Sequence, residues 1–319
     1  MNRKQLISVV VPVYFNEESI SELTAKFEEL AGRNPHLDFE FIFVDDDSKD
    51  NSFNLLISYL HTSKHKVKVL KLSKNFGSFT ACLAGLEKST GDCSAILAAD
   101  LQDPPEILDK MIALWNDGNE VVIASRKSRE DPFLSKLFSK IYYKIFRKFA
   151  LKDMPEGGFD FVLMDRKVRN ILCEIKEKNT SLMGLILWSG FKREIIYYDR
   201  KARKYGKSKW TYAKKIKYLI DSFVSFSFFP IRISTILGII VSIAGFLYAV
   251  FLIYDKIVNN TLIHGITALF VIVLLIGGIQ LMMLGIFGEY LWRILDETRK
   301  RPTFIIDEFI SNENNLTKP

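Results

Sequence analysis

The segment SAILAADLQDPPE, Ser94 to Glu106, sets the fold: a short apolar run stops on an acid, and two prolines follow. SAILAAD (Ser94 to Asp100) carries no charge before its end and is apolar on both faces, as a strand inside a parallel sheet must be. Pro104 and Pro105 suit a first helical turn, where a missing amide hydrogen costs nothing. The same alternation extends in both directions. Upstream, strands read at Leu6 to Val13, Phe39 to Asp45 and Val67 to Ser73, each followed by a helical pattern (Glu17 to Leu30, Ser52 to His61, Ser78 to Ser89). Downstream, EVVIAS (Glu120 to Ser125) is a fifth strand. Strands alternating with helices imply an α/β domain with a parallel sheet. Ligands of such sheets bind beyond the carboxyl ends of the strands. Acids stand there: Asp45 and Asp46 after the second strand, Asp100 after the fourth.

Composition shows that this domain is not the whole chain. The 319 residues are 48% hydrophobic with 25 Phe, yet 25% charged with net charge +7. Mean hydropathy is +0.09. Disorder is excluded by the apolar content. Cys82, Cys93 and Cys173 show neither CxxC spacing nor paired histidines, which excludes a disulfide scaffold and suits reduced thiols in the cytosol. His36, His61, His65 and His264 are scattered and form no metal or catalytic set.

The grease and the charge separate by position after Arg126. Residues 132–150 and 207–229 read as basic amphipathic helices suited to an anionic membrane surface. Residues 233–254 and 265–288 are uncharged runs, each longer than the ~20 residues that cross a bilayer core. Cations crowd the cytosolic flanks (Arg200, Lys201, Arg203, Lys204 before the first run; Arg293, Arg299, Lys300, Arg301 after the second), so both termini face the cytosol. The expected layout is a catalytic domain over 1–231 with interfacial helices, a two-helix hairpin over 232–289, and a cytosolic tail over 290–319 that frays after Arg301. No recognition helix or zinc motif is present, so anionic lipid rather than nucleic acid is the partner of the basic segments.

Three motifs share one sheet edge: PVYFNEE (Pro12 to Glu18), VDDDSKD (Val44 to Asp50) and AADLQDPPE (Ala98 to Glu106). Helix capping accounts for one or two such acids, not three clusters. With LSKNFG (Leu72 to Gly77), RKYGKSKW (Arg203 to Trp210) and the hairpin, the chain resembles the inverting glycosyltransferase family 2. Within it, it resembles the polyprenyl-phosphate glycosyltransferases, relatives of dolichyl-phosphate mannose synthase. The resemblance implies a GT-A fold and transfer of a sugar from a nucleotide diphosphate sugar, UDP-linked and with glucose first, to undecaprenyl phosphate. The implied location is the cytoplasmic face of the bacterial inner membrane.

It also implies roles. Pro12, Tyr14, Asn16 and Glu17 would line the nucleotide pocket, with Asp45, Asp46 and Ser48 around base and ribose. Asp100, with Gln102, would hold Mg²⁺ or Mn²⁺ on the diphosphate. Many relatives read DxD here; this chain has Ala98 at the first position. Arg126, Arg203, Lys207 and Lys209, and on the amphipathic helix Lys136 and Ser139, would cradle the acceptor phosphate. Asp160, in a loop after two glycines, would orient the acceptor or act as base, against a purely structural role. Asp165 reads as a helix cap, and Trp188 as an acceptor-side or core residue. A homo-oligomer is compatible with the hairpin. The competing readings are a non-catalytic nucleotide-sugar binder, motivated by Ala98, and a processive polysaccharide synthase, whose QxxRW motif is missing here.

Overall fold

The computed structural model describes residues 3–126, 144–155, 158–200, 204–205, 220–259 and 265–313. The chain divides into two compact units, Met1–Tyr218 with Pro302–Pro319, and Leu219–Arg301.

The first unit is built on an eight-stranded sheet. Its inner strands β1 (Leu6–Val13), β2 (Asp38–Asp45), β3 (Lys66–Leu72) and β4 (Cys93–Ile96) run parallel. Helices α1 (Glu17–Arg33), α2 (Ser52–Thr62), α3 (Ser78–Lys88) and α4 (Ile107–Asn116) connect them and lead onward. Val9, Val11, Phe41, Phe43 and Val69 are fully buried, with Phe27 of α1 stacked on Phe41 at 4.7 Å between ring centroids. On the other face α3 lies close to the sheet. A Cβ on Gly85 would stand 2.3 Å from Val10 Cγ1, so only glycine allows that approach.

Beyond β4 the sheet changes direction. The strands β5 (Val121–Arg126), β6 (Phe159–Asp165) and β7 (Arg193–Tyr198) complete this side, and β8 (Ile306–Ser311) the other, in the order β7-β5-β6-β4-β1-β2-β3-β8. β6 runs antiparallel to both β4 and β5, and β8 antiparallel to β3. The parallel sheet expected from the alternation is therefore the centre of a mixed one. FDFVLMD has the same apolar character as a parallel strand, and direction is not encoded in burial. Helices α5 (Arg166–Glu174) and α6 (Leu182–Trp188) separate β6 from β7. Asp165 caps α5 as expected, its side chain accepting the Lys167 amide at 2.8 Å.

Four further expectations are corrected. The fourth strand ends at Ile96 rather than Asp100, and the chain turns further on at Leu101, which takes φ +57°. Asp160 is the second residue of β6, not a loop residue. The tail beyond Arg301 does not fray over its described residues, 302–313. Ile306–Ser311 adds a strand to β3, and Asn312, 3% exposed, plugs its end: Oδ1 accepts the Val67 amide at 2.8 Å, and Nδ2 donates to the carbonyls of Leu60 and His65. A polar, acidic stretch can still pair as an edge strand when the backbone supplies the bonds. Trp188 is 63% exposed, which removes the core reading.

The second unit holds two long helices, α7 (Phe229–Asn259) and α8 (Ile266–Thr298). Segments Ile231–Asp255 and Leu275–Thr298 are long and apolar enough to cross a membrane, and neither is buried. At 1.5 Å per residue, α7 spans about 46 Å, more than a bilayer core. Both helices outrun the uncharged stretches because charge ends lipid burial, not helicity. Past Glu289, α8 continues with an i,i+4 pair to Arg293 at 2.9 Å, and Arg293 also bonds Asp221 at 2.6 Å.

Candidate active site

Three loops at the carboxyl ends of β1, β2 and β4 form the floor of the site, and each contains one non-glycine residue in the left-handed region: Phe15 (φ +56°), Asp47 (+61°) and Leu101 (+57°). Such conformations cost of order 1–3 kcal/mol each and persist only where surrounding bonds enforce them. Those bonds are visible between the first two loops. The Phe15 amide donates to Ser48 Oγ at 3.0 Å, and the Asn16 amide to Ser52 Oγ at 2.9 Å. Glu17 and the second loop exchange bonds: the Asn51 amide donates to Glu17 Oε2 at 2.9 Å, and the Glu17 amide to Asp50 Oδ2 at 3.3 Å. Asn16 Oδ1 accepts the Tyr14 amide at 2.9 Å. Pro12 pairs with Val44 in the β1–β2 register, immediately below these loops.

The two adjacent acids at the end of β2, Asp45 and Asp46, differ in use. Asp46 gives both carboxylate oxygens to backbone, accepting Phe76 N–H at 2.7 Å and Gly77 N–H at 2.8 Å. It thereby holds the turn of LSKNFG, where Gly77 takes φ +95° before α3 begins. Asp45 Oδ2 accepts the Ser48 amide at 3.1 Å, while its buried Oδ1 has no partner. Burial pushes both carboxyls above the usual carboxylate range; for Asp45 the charge of Asp50 adds to this and the Ser48 bonds oppose it, and for Asp46 the Phe76 and Gly77 amides oppose it.

On the other side, a connected row of charged groups crosses the strand ends. Asp160 at the start of β6 pairs with Arg126 at the end of β5. Arg126 interacts with Tyr198, the last residue of β7. The Tyr198 hydroxyl donates to Asp103, which is fully buried, and Arg200 Nε donates to the same oxygen at 3.2 Å. Arg200 then stands 4.0 Å from Asp100 Oδ2, whose other oxygen accepts the Gln102 amide at 3.2 Å. Burial first, and then the Asp103 charge, raise the Tyr198 hydroxyl well above its ordinary range, so it is a proton donor at every physiological pH.

Of the residues expected from sequence, Pro12, Tyr14, Asn16, Glu17, Asp45, Asp46, Ser48, Asp100, Gln102, Arg126 and Asp160 all fall on this edge. Lys136, Ser139, Arg203, Lys207 and Lys209, and most of the two amphipathic stretches, lie outside the described residues. Sequence reasoning missed Asp103, Tyr198 and Arg200 as a unit. Asp103 stands inside DLQDPPE, and REIIYY before Arg200 has the β-branched and aromatic residues of a strand.

As a metal site this edge is sparse. Among the described residues no three His, Cys, Asp or Glu side chains converge. Asp100 and the Gln102 carbonyl are two hard oxygen donors, both partly buried. That set fits an ion arriving with a diphosphate, since Mg²⁺ is commonly held by one or two carboxylates plus substrate phosphates and water.

A mixed α/β sheet with acids and an arginine gathered at its strand ends, in a chain that also carries an apolar helix pair, is the architecture of a membrane-anchored glycosyltransferase with a GT-A-like core and a cytosolic catalytic unit. The model of the glycosyl transferase family 2 matches residues 8–172, and the chain belongs to that family. It is 37% identical over 315 residues to the glycosyltransferase YkcC of Bacillus subtilis, covering 98% of this chain and 97% of that one. It is 35% identical over 304 residues to the bactoprenol glucosyl transferase of Shigella phage SfX, covering 94% and 98%. The mannosyltransferase PcManGT from Pyrobaculum calidifontis, solved with GDP-Man and Mn²⁺, superposes with a TM-score of 0.49 at 16% identity over 70% of this chain and 64% of that one.

Proposed function

We propose that this enzyme transfers a sugar, glucose first among candidates, from a UDP-sugar to undecaprenyl phosphate at the cytoplasmic face of the membrane, with inversion at the anomeric carbon. The observation that carries it is the combination, in one chain, of a family 2 sheet edge and an apolar helix pair, over the full length of relatives named for bactoprenol glucosyl transfer. An oxygen of the acceptor phosphate attacks the anomeric carbon. The bond from that carbon to the diphosphate oxygen breaks, and its electron pair leaves with UDP.

The acceptor oxygen is already anionic, with a second pKa near ~6 by analogy with phosphorylated side chains. It needs alignment more than deprotonation. Arg126 supplies a cation held at the edge by Asp160, which releases it to the incoming phosphate or orients that phosphate beside it. Asp45 is assigned to the base, through its unsatisfied Oδ1. Tyr14, Asn16, Glu17 and Ser48 shape the nucleotide loops, and Asp46 braces them. Asp100 and Gln102 hold the divalent ion, Mg²⁺ or Mn²⁺, whose chemistry when bound is to neutralise charge on the departing diphosphate. Arg203, Lys207, Lys209, Lys136 and Ser139 extend the phosphate cradle.

The test is transfer by purified protein from labelled UDP-glucose to undecaprenyl phosphate, repeated with UDP-galactose, UDP-N-acetylglucosamine and GDP-mannose, and with chelator. Labelled lipid from one donor, abolished by chelator, is the expected result. Nucleotide binding without labelled lipid from any donor refutes the reading.

A further inference from the structure

Arg200 occupies an unusual position: its guanidinium lies between a fully buried carboxylate and the one carboxylate that the family reading gives to a metal. Nε bonds Asp103 at 3.2 Å, and a terminal nitrogen stands 4.0 Å from Asp100 Oδ2. Asp103 itself is fixed by the Tyr198 hydroxyl, and Tyr198 by Arg126. The Arg200 side chain is only 22% exposed, so its placement is set by packing and not by solvent. At Ala98, two residues before Asp100, the chain offers no second carboxylate to outweigh it.

We propose that Arg200 is the site's resident cation, a positioning residue that holds Asp100 against divalent ions until a nucleotide diphosphate arrives. A guanidinium and a divalent ion compete for the same Asp100 oxygens. A diphosphate offers the guanidinium a better, bidentate partner a few ångströms away. Asp103 keeps the Nε end anchored while the terminal nitrogens change partner, so the movement is a short swing of one side chain. Metal alone then binds weakly, and metal and nucleotide diphosphate bind cooperatively, because each removes the obstacle to the other. The inference rests on the metal role proposed for Asp100 and goes beyond it by giving Arg200 control of that role.

The experiment titrates Mn²⁺ alone into full-length protein in detergent, read by electron paramagnetic resonance, without and with UDP. Arg200→Gln is expected to bind Mn²⁺ alone at least about fivefold more tightly than wild type, within the usual range of coupling between sites. The factor by which UDP tightens Mn²⁺ binding shrinks accordingly. Arg200→Met, which keeps the aliphatic stem in place, is the second variant and behaves the same way. Adding Asp100→Asn to either variant removes the gain, which locates it at Asp100. Unchanged or weaker Mn²⁺ binding in variants that keep the wild-type unfolding temperature overturns the proposal, as does a gain that survives Asp100→Asn. Lipid-linked transfer by wild type is measured in parallel. Intact transfer with no change in Mn²⁺ binding sinks the Arg200 role alone; no transfer with the competition intact sinks the function and spares Arg200.

Discussion

Asn312→Ala is the sharpest test of how the catalytic unit is closed. The side chain is 3% exposed and makes three bonds to backbone: it accepts the Val67 amide at 2.8 Å and donates to Leu60 O at 3.2 Å and His65 O at 3.0 Å. Removing it strands one donor and two acceptors between α2, β3 and β8. With each bond worth about 1 kcal/mol net, and unsatisfied buried groups costing about 1–3, the loss is about 3 kcal/mol if water reaches one of the three. In a unit of this size that lowers the unfolding temperature by about 6–12 °C. The effect reaches the site as well. The Ser73 amide donates to Ile305 O at 3.0 Å, so the segment leading into β8 braces the start of LSKNFG. Thermal unfolding of full-length wild type and variant in the same detergent, followed by UDP titration at a temperature where both are folded, reads both consequences. An unfolding temperature within 1 °C of wild type, with unchanged UDP affinity, would show that the tail is dispensable and that the argument from buried bonds fails here.

Other expectations follow from single contacts. Asp46→Asn places an amide donor against Phe76 or Gly77 N–H and weakens donor binding about tenfold or more with little change in turnover, measured as KM against kcat for the UDP-sugar. Gly85→Ala forces α3 off the sheet at Val10 and costs about 1–3 kcal/mol in denaturant unfolding; a neutral substitution would mean the helix slides freely. Glu40 sits fully buried under Lys68 at 2.7 Å, and although burial pushes its carboxyl up, the bonds from Lys68, Ser8 and Thr90 outweigh it and hold it below 4.5. Its stabilising contribution is therefore full above pH 4.5 and is lost as pH falls below that. Glu40→Gln removes this acid sensitivity while costing about 3 kcal/mol at neutral pH, and an unaltered acid transition would contradict the assignment.

The centre of the fold was legible because it is written in burial. β1 and β4 are apolar or uncharged on both faces, β2 closes on Asp45 and Asp46, and Asp100 follows β4, and a chain read in one direction shows these facts. What lay at the edges was not. β6 looks like any buried strand, and only its neighbours decide that it runs antiparallel. β8 reads as a polar tail because an edge strand needs backbone partners more than side-chain pattern, and its partner β3 lies more than 230 residues earlier in the chain. The site followed the same division. Asp45, Asp46 and Asp100 announce themselves by standing after strands. Asp103, Tyr198 and Arg200 come from β7 and a turn, and their relation exists only once β7 is placed beside β5.

That relation changes what the motif acids mean. Asp45 and Asp46 are sequence neighbours with the same chemistry, yet one spends both oxygens on a loop and the other keeps one buried oxygen unsatisfied. An unsatisfied buried acceptor costs stability and is retained only where something else completes it. If the base of the donor completes Asp45 Oδ1, Asp45→Asn turns an acceptor into a donor facing that base, because the amide oxygen is needed for the Ser48 amide. A bond to a charged acceptor is worth about 1.5–3 kcal/mol, so UDP affinity falls about 10- to 150-fold by calorimetry. The raised carboxyl adds a second signature. Wild-type affinity for UDP falls on acidification, beginning above the ordinary Asp value of 3.8, because protonation removes the acceptor. The Asn variant is weak at every pH and shows no such fall. Asp46→Asn supplies the contrast in pH dependence: its carboxylate faces backbone, so its affinity loss is indirect and the fall tied to Asp45 remains. Equal UDP affinity in wild type and Asp45→Asn would leave the orphaned oxygen without a partner and move the base elsewhere along the edge.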